Sequence, residues 1–190
     1  MKPKDKNKEL RIISETLDIV SKTGIAGIKM SVLANRVGIS PSTLYVYFKT
    51  KEDLINSIAK FVLEHISQED GITLISEESF EISLKGRWLK MIEFLINNER
   101  EVNFIEQWKT SPYFNTQTAQ LWSENKKIKQ AFFDQAKMQN VIKDLDDHMI
   151  HAVVTGITKE YVNQIKSGEQ QLDQQTSDLF FSLIWDALKK

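Results

Sequence analysis

The sequence predicts an all-α protein of about nine helices, and three observations support that prediction. Apolar residues recur at spacings of three and four along nearly the whole chain of 190 residues, which is the period of a helix packed on one face. Only three prolines and seven glycines interrupt the pattern. The chain has no cysteine, which excludes a disulfide framework, a zinc ribbon and a thiolate nucleophile.

Composition and charge indicate the class of protein. A hydrophobic share of 41% and a charged share of 27% are typical of a soluble globular chain. No apolar run approaches about 18 residues and the N-terminus lacks the apolar region of a signal peptide, so we expect the protein to stay in the cytoplasm. Residues 1–60 carry nine Lys and two Arg against three Asp and three Glu, which is a basic surplus typical of a surface that binds nucleic acid.

The first predicted helix covers about residues 5–23. Ile13, Leu17 and Val20 lie at i, i+4 and i+7 on its buried face, and Gly24 ends it. After a short loop, the segment MSVLANRVGISPSTLYVYFKTK contains two short helical patterns that meet at residues 38–40. Gly38 permits a tight turn between them.

The second of these short helices begins with Ser40 and Pro41, a hydroxyl cap followed by a ring suited to the first turn. Buried residues are expected at Leu33, Ala34 and Val37 in the first helix, and at Leu44 and Phe48 in the second. The segment therefore predicts a helix-turn-helix.

The outward face of the second helix carries polar-tipped groups. Ser42 and Thr43 lie at its start and can reach base edges or phosphates in a major groove about 12 Å wide. Tyr45 and Tyr47 are expected to donate to phosphate and so to position the helix. The alternative, that these tyrosines are half-buried core residues, is stronger for Tyr45 than for Tyr47.

Five groups of residues in uninterrupted register resemble the TetR (tetracycline repressor) family of bacterial transcription regulators over about residues 10–56. They are Leu33-Ala34, Val37-Gly38-Ile39-Ser40, Ser42-Thr43-Leu44-Tyr45, Tyr47-Phe48-Lys49 and Lys51-Glu52-Asp53-Leu54. Where that family usually has a capping Thr or Ser, this chain has Lys29, so either Ser31 caps a later start or the cap is lost and Lys29 offers its charge to phosphate. The predicted DNA-binding set is Lys29, Ser31, Ser40, Pro41, Ser42, Thr43, Tyr45, Tyr47, Lys49 and Lys51.

The predicted domain organisation has three parts. Residues 1–50 form a helix-turn-helix DNA-binding domain and residues 51–71 a connecting helix, which Thr50 caps with Asp53 at its third position. Residues 72–190 form a helical ligand-binding and dimerisation domain. Its expected helices run over about residues 76–98, with Ser76 as the cap, and over about 116–139, 144–167 and 172–188. Between the first two lies a shorter helical segment that bears Val102, Ile105 and Trp108 and is ended by Ser111-Pro112.

All four tryptophans lie in this C-terminal part. Such residues are mostly plain core, but aromatic and methionine side chains from neighbouring helices also line apolar ligand cavities. The resemblance implies an inducer pocket here, and we expect a small lipophilic molecule to bind it. The predicted ligand-binding set is Trp88, Met91, Phe104, Trp108, Trp122 and Phe132.

The last two predicted helices each show two apolar faces, although a terminal helix at the surface of a monomer needs only one. The additional faces favour a homodimer built on a four-helix interface. The alternative is a larger intramolecular core that uses both faces. The predicted dimer interface is Met149, Ala152, Gly156, Leu179, Phe180 and Leu183.

No cofactor, metal or catalytic site is predicted. Asp144, His148 and His151 fall at i, i+4 and i+7 on one helix and could hold a divalent ion, but helical histidines are more often exposed, pocket-lining or interfacial. Adjacent acidic pairs such as Asp146-Asp147 point to different sides of a helix, and no glycine-rich phosphate loop occurs, so an enzyme is not expected.

The sequence therefore predicts a homodimeric repressor that a lipophilic small molecule releases from a near-palindromic double-stranded operator. The main alternative is a helical regulator controlled by a protein partner without a small-molecule inducer. A ligand-modifying enzyme is a more remote alternative.

Overall fold

The structure, a computed structural model, describes residues 5–70 and 79–190. Within these ranges the chain forms nine α-helices, one short 3-10 helix at Ile25–Gly27 and no strand, which confirms the predicted all-α class. The helices are α1 Lys6–Thr23, α2 Met30–Val37, α3 Pro41–Tyr47, α4 Lys51–Asp70, α5 Phe80–Asn97, α6 Glu99–Lys109, α7 Thr116–Met138, α8 Asp147–Ser167 and α9 Gln174–Leu188.

Most helix starts follow from local capping chemistry. The predicted cap of α4 is confirmed, because the Asp53 N–H donates to Thr50 Oγ1 at 3.0 Å. Helices α8 and α9 begin two or three residues later than expected, since Asp146 and Asp173 accept hydrogen bonds from backbone N–H groups three residues ahead. The predicted cap Ser76 lies outside the described residues, and the described α5 begins at Phe80.

The chain divides into two compact units that do not follow the order of the sequence. The first contains residues up to His65 together with Asn98–Trp122, and the second contains Ile66–Asn97 and Ser123–Lys190. The predicted functional division at residues 50 and 71 stays a prediction. The structure adds that α6 belongs to the same compact unit as the helix-turn-helix.

Three side-chain hydrogen bonds tie residues 107–115 to the N-terminal part of the first unit. The Ile25 N–H donates to Gln107 Oε1 at 3.0 Å, and the Trp108 indole N–H donates to Asn56 Oδ1 at 3.3 Å. The Asn115 amide donates to Glu52 Oε1 at 3.2 Å. Helix α6 therefore completes this unit from far along the chain, since Gln107 and Ile25 lie 82 positions apart.

The second unit is built on α5, α8 and α9, with the C-terminal part of α7. Trp88 is buried at its centre, stacks on Tyr161 with ring centroids 5.9 Å apart and donates its indole N–H to Thr158 Oγ1 at 2.9 Å. The end of α9 is tied down by the Lys143 N–H, which donates to the Leu188 carbonyl at 2.8 Å. The unit thus has a filled aromatic core.

Candidate nucleic-acid interface

The turn between α2 and α3 depends on Gly38. It adopts the left-handed conformation, with φ of +72°, and its N–H reaches the carbonyls of Ala34 and Asn35. The Ile39 N–H then donates to the Ala34 carbonyl at 3.0 Å, and Ser40 caps α3 by accepting from the Thr43 N–H at 3.1 Å. Since L side chains other than Asn and Asp rarely adopt this φ, glycine is what allows the chain to turn within the three residues between the two helices.

Helix α2 is held on α1 by ion pairs of Arg36. The guanidinium binds Glu15 at 3.1 Å and also pairs with Asp18. Hydrogen bonds from Lys22 and then from Arg36 lower the pKa of Asp18 below its usual value. Arg36 is therefore engaged within the protein by two carboxylates of α1.

One face of α3 is open to solvent. Leu44 and Phe48 are buried on the opposite face, as predicted. The open face consists of Ser42, Tyr45 and Val46, which are all exposed and lie at i, i+3 and i+4 on one side of the helix, and the exposed Lys49 follows just beyond the helix end.

Sequence reasoning missed Val46, which exposes 68% of its surface. The signal was available, because Val46 lies at i+4 from Ser42 and cannot share the buried face of Leu44 and Phe48.

The hydroxyls at the start of α3 form a small network. Ser40 Oγ lies 2.8 Å from Ser42 Oγ and 2.8 Å from Thr43 Oγ1, while it accepts from the Thr43 N–H. Ser40 has one proton left to donate and one lone pair left to accept, so one of its two hydroxyl neighbours donates to it and the other accepts from it. Ser40 therefore couples the hydroxyls of the exposed Ser42 and the half-buried Thr43, because one of them must donate to it while the other accepts from it.

The structure reverses the expectation for the two tyrosines. Tyr45 is 48% exposed, whereas Tyr47 is half-buried and its hydroxyl accepts from the Asp5 N–H at 3.2 Å, which anchors the start of α1. Tyr45 is consequently the more accessible of the two.

The lysines around the motif also differ from one another. Lys51 donates to the Ala26 carbonyl at 3.3 Å and lies near the Tyr113 ring, while Lys49 is exposed. Helix α2 begins at Met30 with Lys29 at the cap position and no side-chain cap, so Ser31 does not cap a later start. Of the two alternatives from the sequence, the structure therefore agrees with the loss of the cap. Pro41 is exposed at the first position of α3.

The predicted ligand-binding residues fall into both units. Trp88, Met91 and Phe132 belong to the second unit, and Phe104, Trp108 and Trp122 belong to the first. In the second unit the Phe132 ring stacks on Phe80 with centroids 4.6 Å apart. The predicted set is thus divided between two compact bodies.

The ligand-set residues of the first unit are already packed against other side chains. Trp108 is fully buried and meets the edge of Phe114, with centroids 4.9 Å apart. The Trp122 ring is covered by the Lys109 ammonium at 3.5 Å. Throughout the described residues, no buried side-chain nitrogen or oxygen lacks a hydrogen-bond partner.

The predicted interface residues on α8 and α9 are mostly exposed. Met149, Leu179 and Leu183 expose 54%, 61% and 56% of their surfaces, and Ala152 and Gly156 on α8 are exposed as well. Phe180 differs, because it is partly buried and stacks on Tyr161 with centroids 4.2 Å apart. These helices therefore carry apolar side chains that their own unit does not cover.

The described residues also contain neither a metal-binding cluster nor a membrane-spanning helix. Over 5–70 and 79–190, no group of three or more His, Asp or Glu side chains is placed to hold a metal ion, and Asp144, His148 and His151 form no such group. No helix in those ranges is both long enough and apolar enough to span a membrane.

Comparison with known proteins places both parts of the chain. A family model described as bacterial regulatory proteins of the tetR family matches residues 12–58, and one described as a tetracyclin repressor-like C-terminal domain matches residues 84–189. The fatty acid metabolism regulator protein of Bacillus subtilis is 33% identical over 53 residues, which are 28% of this chain and 27% of that protein. The icaADBC operon negative regulator IcaR of Staphylococcus aureus is 19% identical over 95% of this chain and 98% of its own.

Solved structures share the fold along the full length. A TetR-family transcription regulator from Marinobacter aquaeolei superposes with a TM-score of 0.87 at 18% identity, over 100% of both chains. A TetR-family regulator from Haemophilus influenzae superposes with a TM-score of 0.75 at 18% identity, over 97% of both chains. At this level of identity the likeness supports the fold alone.

Proposed function

Because this chain belongs to the TetR family of bacterial transcriptional regulators, which are not enzymes, we propose that it is a DNA-binding repressor of the cytoplasm. In this proposal a homodimer binds a near-palindromic operator, and a small lipophilic molecule releases it. The relative IcaR is named as a negative transcriptional regulator, which supports the sign of regulation.

The observation that carries the proposal is the open face of α3. A short helix held by buried Leu44 and Phe48 presents the Ser42 hydroxyl and the Tyr45 phenol on its outer side, and the exposed Lys49 ammonium follows directly after the helix. Hydroxyls can bond base edges, whereas the tyrosine and the lysine can position the helix on phosphates. The basic surplus of residues 1–60 supplies the sequence-independent part of the affinity.

In this proposal, the twofold symmetry of the dimer accounts for a near-palindromic operator. Leu179 and Leu183 lie one turn apart on α9 and are both more than half exposed, and Met149 is exposed on α8, which packs against α9. A second copy that covers these faces would repeat α3 by a twofold axis, so the two half-sites would lie about 34–36 Å apart or somewhat more.

The inducer is the finer part of the proposal. A ligand that weakens operator binding a hundredfold must favour the released state by about 2.7 kcal/mol. Trp88 and Phe132 share one aromatic cluster, and a lipophilic molecule would enter it by displacing a neighbouring ring such as Phe181. The relative that regulates fatty acid metabolism makes fatty acids and their thioesters sensible first probes.

One observation favours a second candidate, a regulator controlled by a protein partner without a small molecule. The indole N–H of Trp88 already bonds Thr158, and its ring is packed on both Tyr161 and Phe181. A tryptophan with these partners is typical of a filled core, which leaves no space for a small molecule beside its ring. Titration of tryptophan emission with acyl-CoAs and aromatic drugs separates the two candidates, since the partner-controlled form would show no change.

Selection of bound duplexes from a random DNA pool, with the full-length protein at fixed salt, tests the proposal. We expect one enriched near-palindromic sequence. Leu183→Glu places a charge on the exposed apolar face and should yield a monomer that has lost the selected site. Gln170→Glu adds the same charge in the exposed α8–α9 loop and should remain dimeric. Failure to enrich any sequence would overturn DNA recognition, and equal behaviour of the two variants would overturn the interface.

A further inference from the structure

Val46 is the most exposed large apolar side chain among the described residues of the first unit. It exposes 68% of its surface, against 48% for Tyr45, 47% for Val32 and 41% for Leu10. Single apolar residues at a surface are common and need no special role. The position of Val46, rather than its exposure alone, is what points to one.

That position is the open face of α3. Val46 follows Ser42 by four residues, so its isopropyl group stands one turn beyond the Ser42 hydroxyl on the same side of the helix. Tyr45 lies beside Val46 on that exposed side, and Leu44 packs inward. Any duplex read by Ser42 would therefore meet Val46 in the same groove.

Valine at this place is not explained by the stability of the helix. Alanine, leucine or a long polar residue would favour an exposed helical position more than a β-branched residue does. A valine in a helix, however, holds essentially one rotamer, so its two methyl groups are presented in a fixed direction at little entropic cost. A rigid apolar surface suits contact with another apolar group.

The major groove offers one such group on its base edges, the 5-methyl of thymine, which apolar side chains contact directly. We propose that Val46 is a specificity-determining residue that packs against the 5-methyl group of a pyrimidine in the operator. The inference rests on the proposed function and names part of what the open face recognises. The same methyl group occurs in thymine and in 5-methylcytosine, so the test must distinguish these two sources.

The test is a double-mutant cycle that combines a substitution in the protein with a substitution of one base in the DNA. A site selected from the random pool is resynthesised with uracil in place of each thymine in turn, which deletes one methyl group and keeps every Watson–Crick pair. In a parallel arm each cytosine is replaced by 5-methylcytosine. Affinities are measured for the unchanged protein, for Val46→Ala and for the control Val32→Ala, which shortens the exposed valine of α2.

Loss of one buried methyl contact should weaken binding about fourfold at one position. In Val46→Ala the same uracil substitution should have no effect, whereas in Val32→Ala the fourfold loss should remain. Because uracil also alters the stiffness of the duplex, an effect of equal size in all three proteins would assign it to the DNA and overturn the inference.

The remaining outcomes are also decisive. A gain with 5-methylcytosine that Val46→Ala abolishes would support the inference with that base as the source. Insensitivity at every thymine and every cytosine would overturn it while leaving the proposed function intact, since the selected sequence would still be bound. Because Val46 exposes 68% of its surface and alanine has the higher helix propensity, Val46→Ala should fold at least as well as the unchanged protein.

Discussion

Gln107 offers a sharp test of how α6 supports the DNA-reading unit. Its side-chain oxygen accepts from the Ile25 N–H at 3.0 Å, at the start of the 3-10 helix that leads into α2. The Gln107 amide nitrogen meanwhile donates to Asn103 Oδ1. We predict that Gln107→Met destabilises the protein and that Gln107→Glu largely does not.

The magnitude follows from the group left without a partner. Ile25 is buried, so loss of the acceptor leaves a backbone donor unsatisfied, which costs about 1–3 kcal/mol. Because the hydrogen bond itself is only partly buried and water can reach it, we expect the lower half of that range, about 1–2 kcal/mol. For a chain of this length the midpoint of thermal unfolding should fall by about 2–8 °C.

Gln107→Glu is the matched control. It keeps an oxygen facing the Ile25 N–H, and the Asn103 amide can turn to donate to the new carboxylate. Thermal unfolding followed by circular dichroism gives the midpoints, and amide hydrogen exchange at Ile25 reports the bond itself. Exchange at Ile25 should accelerate in Gln107→Met and stay slow in Gln107→Glu.

The refuting results are equally specific. If both variants lose the same stability, the damage comes from packing around α6 and not from the missing acceptor. If exchange at Ile25 is unchanged in Gln107→Met, the hydrogen bond does not hold the 3-10 helix, and the reasoning fails.

Two further predictions concern the helix-turn-helix. Asp18→Asn should lower the free energy of unfolding at neutral pH, because the folded state lowers the pKa of Asp18. This stabilisation is fully present above the unfolded pKa near 3.8 and is lost as the pH falls through the lower folded value. The unfolding curves of variant and parent should therefore converge below pH 4. Gly38→Ala should destabilise by about 1 kcal/mol because φ is +72°, whereas Gly86→Ala, in the exposed interior of α5 with open space for a methyl group, should stabilise by about 0.5–1 kcal/mol; a loss in both would remove the conformational argument.

Local patterns in the sequence were sufficient for the helices and the turn. Leu33, Val37, Leu44 and Phe48 were assigned to the core by spacing alone, and all four are buried. The sequence places Gly38 in the turn because its backbone has little steric restriction, and the structure shows a φ of +72° there. Such features depend on neighbours within a few positions along the chain.

The expectations that failed or shifted depend on partners far away in sequence. The Tyr47 hydroxyl meets the backbone of Asp5 across 42 positions, and no periodicity in α3 reveals that contact. The Lys51 ammonium likewise donates to the Ala26 carbonyl across 25 positions, a contact that local spacing does not reveal. The aromatic residues of the C-terminal part were grouped by composition, which does not tell which helices pack together; the structure assigns Trp108 and Trp88 to different units.

Because α6 packs against α1, the first unit cannot finish folding until α6 has been synthesised. The ribosome adds about 5–20 residues per second, and about 86 residues separate the end of α1 from the end of α6, so α1 waits about 4–17 s for the helix that covers it. During that interval the nascent chain exposes an apolar surface that the finished protein hides. Chaperones and proteases would therefore meet this surface on the growing chain and not on the folded regulator.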